Sequence, residues 1–316
     1  MYKKIRYALF MVVSLFAVNA NAAPMAYSVN SDSVTGDKLY LIDLATGNDQ
    51  LRGSLFTGIE DRTDTEGLAF SPGPGGLLWG MDDAAGTLFP IDVANGSINW
   101  EKEIQLPLEL KIGGGNDFGM TFACDNNLYF TSVKSKTLYR RDPDGSFSIV
   151  GAEGALGINI SAIAAIGNPT RLYGLGNGQF SNGDTDSPNL YRIDPTTGTT
   201  FLIGPLGFPG QFKYNEAGMS FDSNGGLWAI TDRSQIDNQK SQILSINVVT
   251  GAATLQATTL HEVGYESLAI SPPASCVTRV EADGLPKIPT LDLIGRLSAI
   301  LVLMLAGMFF LRRRYT

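Results

Sequence analysis

The chain has 316 residues, 44% hydrophobic and 17% charged, with 36 Gly and a formal net charge of −8. That composition excludes a disordered or fibrous chain and describes a turn-rich globular body. Both ends are basic, so the acidity is concentrated between them; this excludes nucleic acid as partner, because phosphate binding needs Lys and Arg. Divalent cations or basic surfaces suit such a body better, and solubility alone also accounts for it.

Residues 1–22 begin with Lys3, Lys4 and Arg6, run apolar from Ala8 to Val18 and close on Ala20-Asn21-Ala22. A basic start, a short apolar core and an Ala-x-Ala end describe a secretory signal peptide, so the following body is expected to be exported.

The body carries one phrase five times: an apolar pair, then an acid or amide, then a turn ending in Gly. The copies start at Leu39, Leu88, Leu138, Leu190 and Ile243; their acids or amide are Asp43, Asp92, Asp142, Asp194 and Asn247, and their glycines Gly47, Gly96, Gly145, Gly198 and Gly251. A period of about fifty residues signals stacked or radial repeats. Upstream of each of the four later copies stand a Leu-aromatic pair (Leu78-Trp79, Leu128-Tyr129, Leu172-Tyr173, Leu227-Trp228) and, before that, a small residue with apolar alternation (Gly67 to Phe70, Gly119 to Phe122, Ser161 to Ile163, Gly218 to Phe221). A less regular apolar stretch follows each phrase. Four short runs separated by Gly, Asn, Asp and Pro read as four antiparallel strands per repeat.

Such units arranged around an axis make a β-propeller. The first two strands are complete only four times internally. Met25 to Val29 supplies the missing second strand and Ser267 to Ile270 the missing first one. The expected fold is therefore an all-β, five-bladed propeller over 23–271, its last blade made of one C-terminal and three N-terminal strands, which leaves no long free edge. Six blades remain the alternative if 96–118 or 174–190 holds further strands. A linear stack is weaker, having no use for complementary ends. The repeat resembles those of secreted bacterial propellers of the NHL or YVTN kind.

In a propeller the loops entering the first strands converge on one mouth of the central channel. Glu66, Asp117, Asn159, Glu216 and Glu266 stand there. Four acids and an amide offer hard oxygen ligands, so Glu66, Asp117, Glu216 and Glu266 are the candidate ligands of Ca²⁺ or another divalent cation. The alternative is that an acid caps backbone N–H groups at each strand entry and was copied by duplication. The arrangement resembles gluconolactonase-like propellers at the level of fold; this implies a divalent ion in the channel. The acids of the repeated phrase, by contrast, are turn chemistry: the carboxylate accepts N–H groups just ahead and Gly supplies positive φ.

Other signals are thin. Ser181 to Asn189 alternates oxygen side chains but lacks the spacing and terminal Glu of a calcium loop. Gly113-Gly114-Gly115 precedes a strand, so it is no phosphate cradle. His261 is the single His, near Glu262 and Glu266, and Gly-x-Ser-x-Gly does not occur. Two cysteines, Cys124 and Cys276, each follow an apolar strand; a disulfide and two separate thiols are both open.

After a linker, 272–287, comes Ile288-Pro289-Thr290-Leu291, Gly295, Arg296, an apolar run from Leu297 to Leu311, and Arg312-Arg313-Arg314. The run would serve as a C-terminal transmembrane helix extended back to Leu291 by snorkelling of Arg296, with the three arginines inside. Segment 288–316 resembles the IPTL-CTERM sorting signal, with Ile294 where that pattern has Trp. The resemblance implies recognition by a membrane protease of the exosortase class. The expected protein is held at the inner membrane facing the periplasm, then displayed at the cell surface or released after C-terminal processing. Its expected role is a non-enzymatic binding or adhesion platform for a protein or glycan; a divalent-metal-dependent, lactonase-like hydrolase is the alternative.

Overall fold

The computed structural model describes residues 23–30, 36–73, 75–107, 117–178, 188–208, 210–236, 238–261, 264–271 and Cys276. The expected signal peptide, the linker beyond Cys276 and the tail 288–316 lie outside these, as do Gly113 to Gly115 and Ser181 to Ser187. Among the described residues no helix is long and apolar enough to cross a membrane.

Among the described residues, twenty strands form five four-stranded antiparallel sheets. Blade I uses β1 (Met25–Asn30), β2 (Lys38–Asp43) and β3 (Asp49–Ser54). Blade II follows with β4 (Thr65–Phe70), β5 (Leu78–Asp82), β6 (Thr87–Ile91) and β7 (Ile104–Gln105), a 3₁₀ turn at Trp100–Lys102 preceding β7. Blade III holds β8 (Met120–Phe122), β9 (Leu128–Ser132), β10 (Thr137–Arg141) and β11 (Phe147–Ile149). Blade IV holds β12 (Ile160–Ile166), β13 (Arg171–Gly176), β14 (Asn189–Ile193) and β15 (Thr200–Pro205); blade V holds β16 (Ala217–Phe221), β17 (Leu227–Thr231), β18 (Gln242–Ile246) and β19 (Ala253–Thr258). The last strand, β20 (Ala269–Ser271), pairs with β1 through Met25–Ser271, Ala26–Ile270 and Tyr27–Ala269 and completes blade I. The ring therefore has five blades, closed by one C-terminal and three N-terminal strands. The six-blade alternative fails because 96–107, 174–178 and 188–190 supply only strands of existing blades.

The core is divided among the interfaces between blades. Val29, Leu39 and Leu55 of blade I pack on Leu68, Leu78 and Phe89 of blade II. Met81 and Leu88 meet Phe130 and Tyr139 of blade III, and Leu138 meets Ile160, Ile163 and Leu172 of blade IV. Tyr173 and Leu175 meet Phe221 and Leu244 of blade V, whose Ile230 and Ile243 return to Ala26, Tyr40 and Ile270 of blade I. Central strands are covered on both faces, which is why β9 is buried throughout, whereas outermost β19 is mostly exposed.

The repeated phrase has a second use besides turning the chain. The side chains of Asp43, Asp92, Asp194 and Asn247 each accept the N–H two residues on, at 2.8–2.9 Å. The turns then press on the outer strand of the preceding blade. Gly47 has φ +73°, and a Cβ there would stand 1.9 Å from the Thr258 carbonyl oxygen; Leu260 N–H donates to the Gly47 carbonyl. Gly251 meets Gly204 in the same way. The glycine is needed for its backbone angle and for blade-to-blade contact at once.

Inner strands adjoin in the order β4, β8, β12, β16, β20 and back to β4. They approach so closely that a Cβ on Gly218 would lie 2.2 Å from the backbone of Ser267 and Leu268. At the far end of the channel, Cys124 and Cys276 form a disulfide with Cα atoms 5.3 Å apart, joining the exits of β8 and β20.

Candidate metal centre

The five residues predicted for the channel mouth all stand at the entries of inner strands, but not at one repeat position. Ladder pairing makes Gly67, Gly119, Ala162, Gly218 and Ser267 equivalent. Glu66 and Glu266 come one residue ahead of this position, Asp117 and Glu216 two, and Asn159 three. Glu66 reaches the mouth through a β-bulge: Thr65 pairs with Asp82 and Gly67 with Met81, leaving Glu66 as the extra residue. A bulge re-aims one side chain without disturbing the rest of the strand. Asp117 attains its place with a left-handed φ of +43°.

Backbone hydrogen bonds hold these entries. The residue after each second strand continues the ladder: Val133 N–H donates to the Asp117 carbonyl, Asn177 to Asn159 and Asp232 to Glu216, at 3.4, 3.1 and 2.8 Å. At the closing blade Glu266 N–H donates to the Val29 carbonyl at 3.4 Å.

Carboxylate oxygens of Glu66, Glu216 and Glu266 lie within 4.8 Å of one another. They come from three inner strands consecutive in the ring, those of blades II, V and I. Glu66 and Glu266 are buried and Glu216 half-buried. Carboxylates only accept hydrogen bonds, so facing one another they favour the protonated form. Burial pushes Glu66 well above the usual carboxylate range, and Glu216, Glu266, Asp117 and Asp64 push it the same way. Burial also raises Glu216, with Asp117 adding to it, and raises Asp117. Asn159, buried at the entry of β12, adds an amide to the ring.

Oxygen donors at this density fit a hard divalent cation, which would replace the protons as the neutralising charge. Below the mouth, a cavity of about 10 Å³ lies between Glu66, Glu266, Phe118 and Met219, room for about one water.

More acids surround the mouth than its five predicted residues. Asp37, fully buried, accepts Thr65 N–H at 2.7 Å, and burial lifts its carboxyl to about 7. Asp82 is raised by burial as well. The available signal was the acid pair Asp82-Asp83 at a second-strand exit, because an antiparallel ladder places that exit beside the first-strand entry. His261, by contrast, is engaged at the seam between blades V and I. Its Nδ1 lies 2.6 Å from Asp49 Oδ1, its backbone N–H donates to the same carboxylate, and Tyr265 O–H donates to Asp49 Oδ2 at 2.8 Å.

No protein-family model matches the chain, and no curated protein does. Among solved structures it is similar to a catalytically inactive virginiamycin B lyase from Staphylococcus aureus, at 16% identity over 75% of this chain and 71% of that one, TM-score 0.39. A protein of unknown function from Bacteroides caccae matches at 9% identity over 78% and 99% of the two chains, TM-score 0.44. Myxococcus xanthus glutaminyl cyclase matches at 18% identity over 62% and 69%, TM-score 0.39. Enzymes and a protein of unknown function stand side by side in this set, so the likenesses assign no activity; the chain's own sheet order establishes the five-bladed propeller.

Proposed function

We propose that this propeller is an exported binding platform of the cell envelope or cell surface, with a divalent cation, Ca²⁺ by preference, held at its channel mouth. The observation that carries the cation is the meeting of Glu66, Glu216 and Glu266 within 4.8 Å. Glu216 joins the other two from a different offset in the repeat and Glu66 arrives through a bulge, which duplication of a simple strand cap does not explain. The leader-like residues 1–22 support export, and the Cys124–Cys276 disulfide suits an oxidising compartment. The arginine-flanked tail supports anchoring, with exosortase-type processing at the IPTL-like motif. Elemental analysis of purified protein and calcium calorimetry test the centre. About one tightly bound ion per chain, or a calcium-dependent rise in thermal midpoint, is expected. Neither in the wild type would refute the centre. For the tail, an intact Thr316 in the mature protein by mass spectrometry refutes processing.

One observation favours a metal-dependent hydrolase as second reading: burial raises Glu216 and Asp117 above the usual carboxylate range beside the cation ligands, where a general acid would stand. Turnover of lactones or esters by the wild type, abolished in Glu216→Gln, would establish it; a calcium-loaded protein without turnover supports the platform.

A further inference from the structure

Beside the channel mouth, the seam between blades I and II buries oxygen atoms without a hydrogen-bond partner among the described residues, among them Asp37 Oδ1 and Thr65 Oγ1. Both residues are fully buried. Unpaired polar atoms at such depth are rare in folded proteins and call for a bound water or ion.

The two residues face each other across the seam. Asp37 leads into β2 of blade I, and its Oδ2 accepts the Thr65 N–H at 2.7 Å, which leaves Oδ1 over. Thr65 pairs with Asp82 in the β4–β5 ladder, so their side chains share one face of blade II. It is the face toward blade I, because Leu78, in phase with Asp82 along β5, packs on Val29 and Leu39. Asp82 is buried as well, and its Oδ1 accepts the Ala85 N–H at 2.6 Å. Burial raises Asp37, the Thr65 hydroxyl and N–H lower it, and Asp82 and Asp64 raise it again, so these groups are close neighbours.

We propose that an alkali-metal cation, sodium or potassium, is bound in this seam between the carboxylates of Asp37 and Asp82 and the Thr65 hydroxyl. A water molecule would satisfy the hydroxyl but leave two facing carboxylates uncompensated. A cation answers both the free oxygens and the charge. The donor set selects a single positive charge. Burial raises Asp82, but the Ala85 N–H and the Arg62 guanidinium already oppose this, so Asp37 remains the uncompensated carboxylate. Ca²⁺ seeks about six to eight oxygens and more negative charge than this seam leaves over. Thr65 directly precedes Glu66, so an ion fixed here also steadies the bulge that aims Glu66. The site shares no ligand with the mouth cluster and stands without its calcium.

The test is the thermal midpoint with chelator at about pH 8, where Asp37 is charged. Choline chloride is compared with sodium chloride and potassium chloride at equal ionic strength. At least one alkali cation is expected to raise the midpoint saturably, by about 4 °C at about ten times its Kd. Thr65→Val keeps the shape and loses the oxygen. It should match or exceed the wild type in choline, because an unpaired buried hydroxyl is gone, and should lose most of the rise. Asp37→Asn should lose the rise too, whereas Glu216→Gln should keep it. No saturable difference among the three salts overturns the proposal and leaves the mouth to its own calcium measurement. A rise that survives both Thr65→Val and Asp37→Asn overturns it as well, since the cation then sits elsewhere. A rise lost only in Glu216→Gln overturns it by placing the cation at the mouth.

Discussion

Two sets of acids recur in this propeller, and their environments are opposite. Those of the strand-connecting turns are exposed or half-buried, and the carboxylates of Asp43, Asp92 and Asp194 accept backbone N–H groups. The Thr196 hydroxyl and N–H hold Asp194 below the usual carboxylate range. Those of the channel mouth are sunk among inner strands, face one another, and are held above it. One residue type thus does two jobs, decided by whether donors or other acceptors surround it. Regular spacing marked the structural set, and irregular spacing marked the candidate functional one.

The largest effect is expected where a turn clasps its neighbour. Gly47→Ala places a methyl against the Thr258 carbonyl at a left-handed φ and should cost about 3 kcal/mol by overpacking and backbone strain. Denaturant unfolding measures it, and the loss should be the same with and without calcium. A calcium-dependent loss would mean that turns and mouth are not separate systems.

Next comes Glu216→Gln. In the wild type, calcium at about 100 times its Kd should add about 2.7 kcal/mol of stability, and the amide should abolish most of that. Without calcium the same change should leave the protein equally or more stable at neutral pH, because it removes one of several facing charges. A large loss in calcium-free buffer would instead make Glu216 a structural cap.

The pH dependence of the metal-free protein separates the sets further. Asp37 titrates near 7 folded against 3.8 in its ordinary state. The folded protein then binds more protons than the unfolded chain between these values. Stability should fall as pH rises through that window, and Asp37→Asn should flatten the fall. The turn acids, shifted downward, act oppositely: Asp194 adds stability above its ordinary value that is lost only on acidification. Thermal midpoints from about pH 4 to pH 8, with chelator and with calcium, distinguish the two, and calcium should cancel most of the neutral-side loss.

The smallest effect is expected from Asp194→Asn. Asn247 already accepts its turn's N–H at 2.9 Å in the fifth copy, so the exchange should change stability by no more than about 0.5 kcal/mol. Chemical denaturation resolves such a difference only as a bound. A loss well beyond it would show that charge, and not only the acceptor oxygen, matters in these turns.

Much of the fold was legible in the residues. Period-two alternation, Leu-aromatic pairs and Asp-to-Gly turns are local chemistry, and their unequal count at the two ends gave away the closure. The site was legible only as a list. Glu66, Glu216 and Glu266 looked like equivalents of Asp117 and Asn159, yet it is these three whose carboxylate oxygens meet within 4.8 Å. His261 stood near Glu266 in the chain, but the seam turns it to Asp49, more than two hundred residues away.

The amino-acid sequence by itself determined the strands, the turns, the five blades and the closing strand, because each follows from side-chain alternation and from the backbone angles that Gly and Asp favour within a few residues. Only the tertiary structure decided which acids face one another and which way their protons are held. Those depend on how closely inner strands pack around a narrow axis, with Gly218 touching the backbone of the next blade, and no local pattern carries that distance.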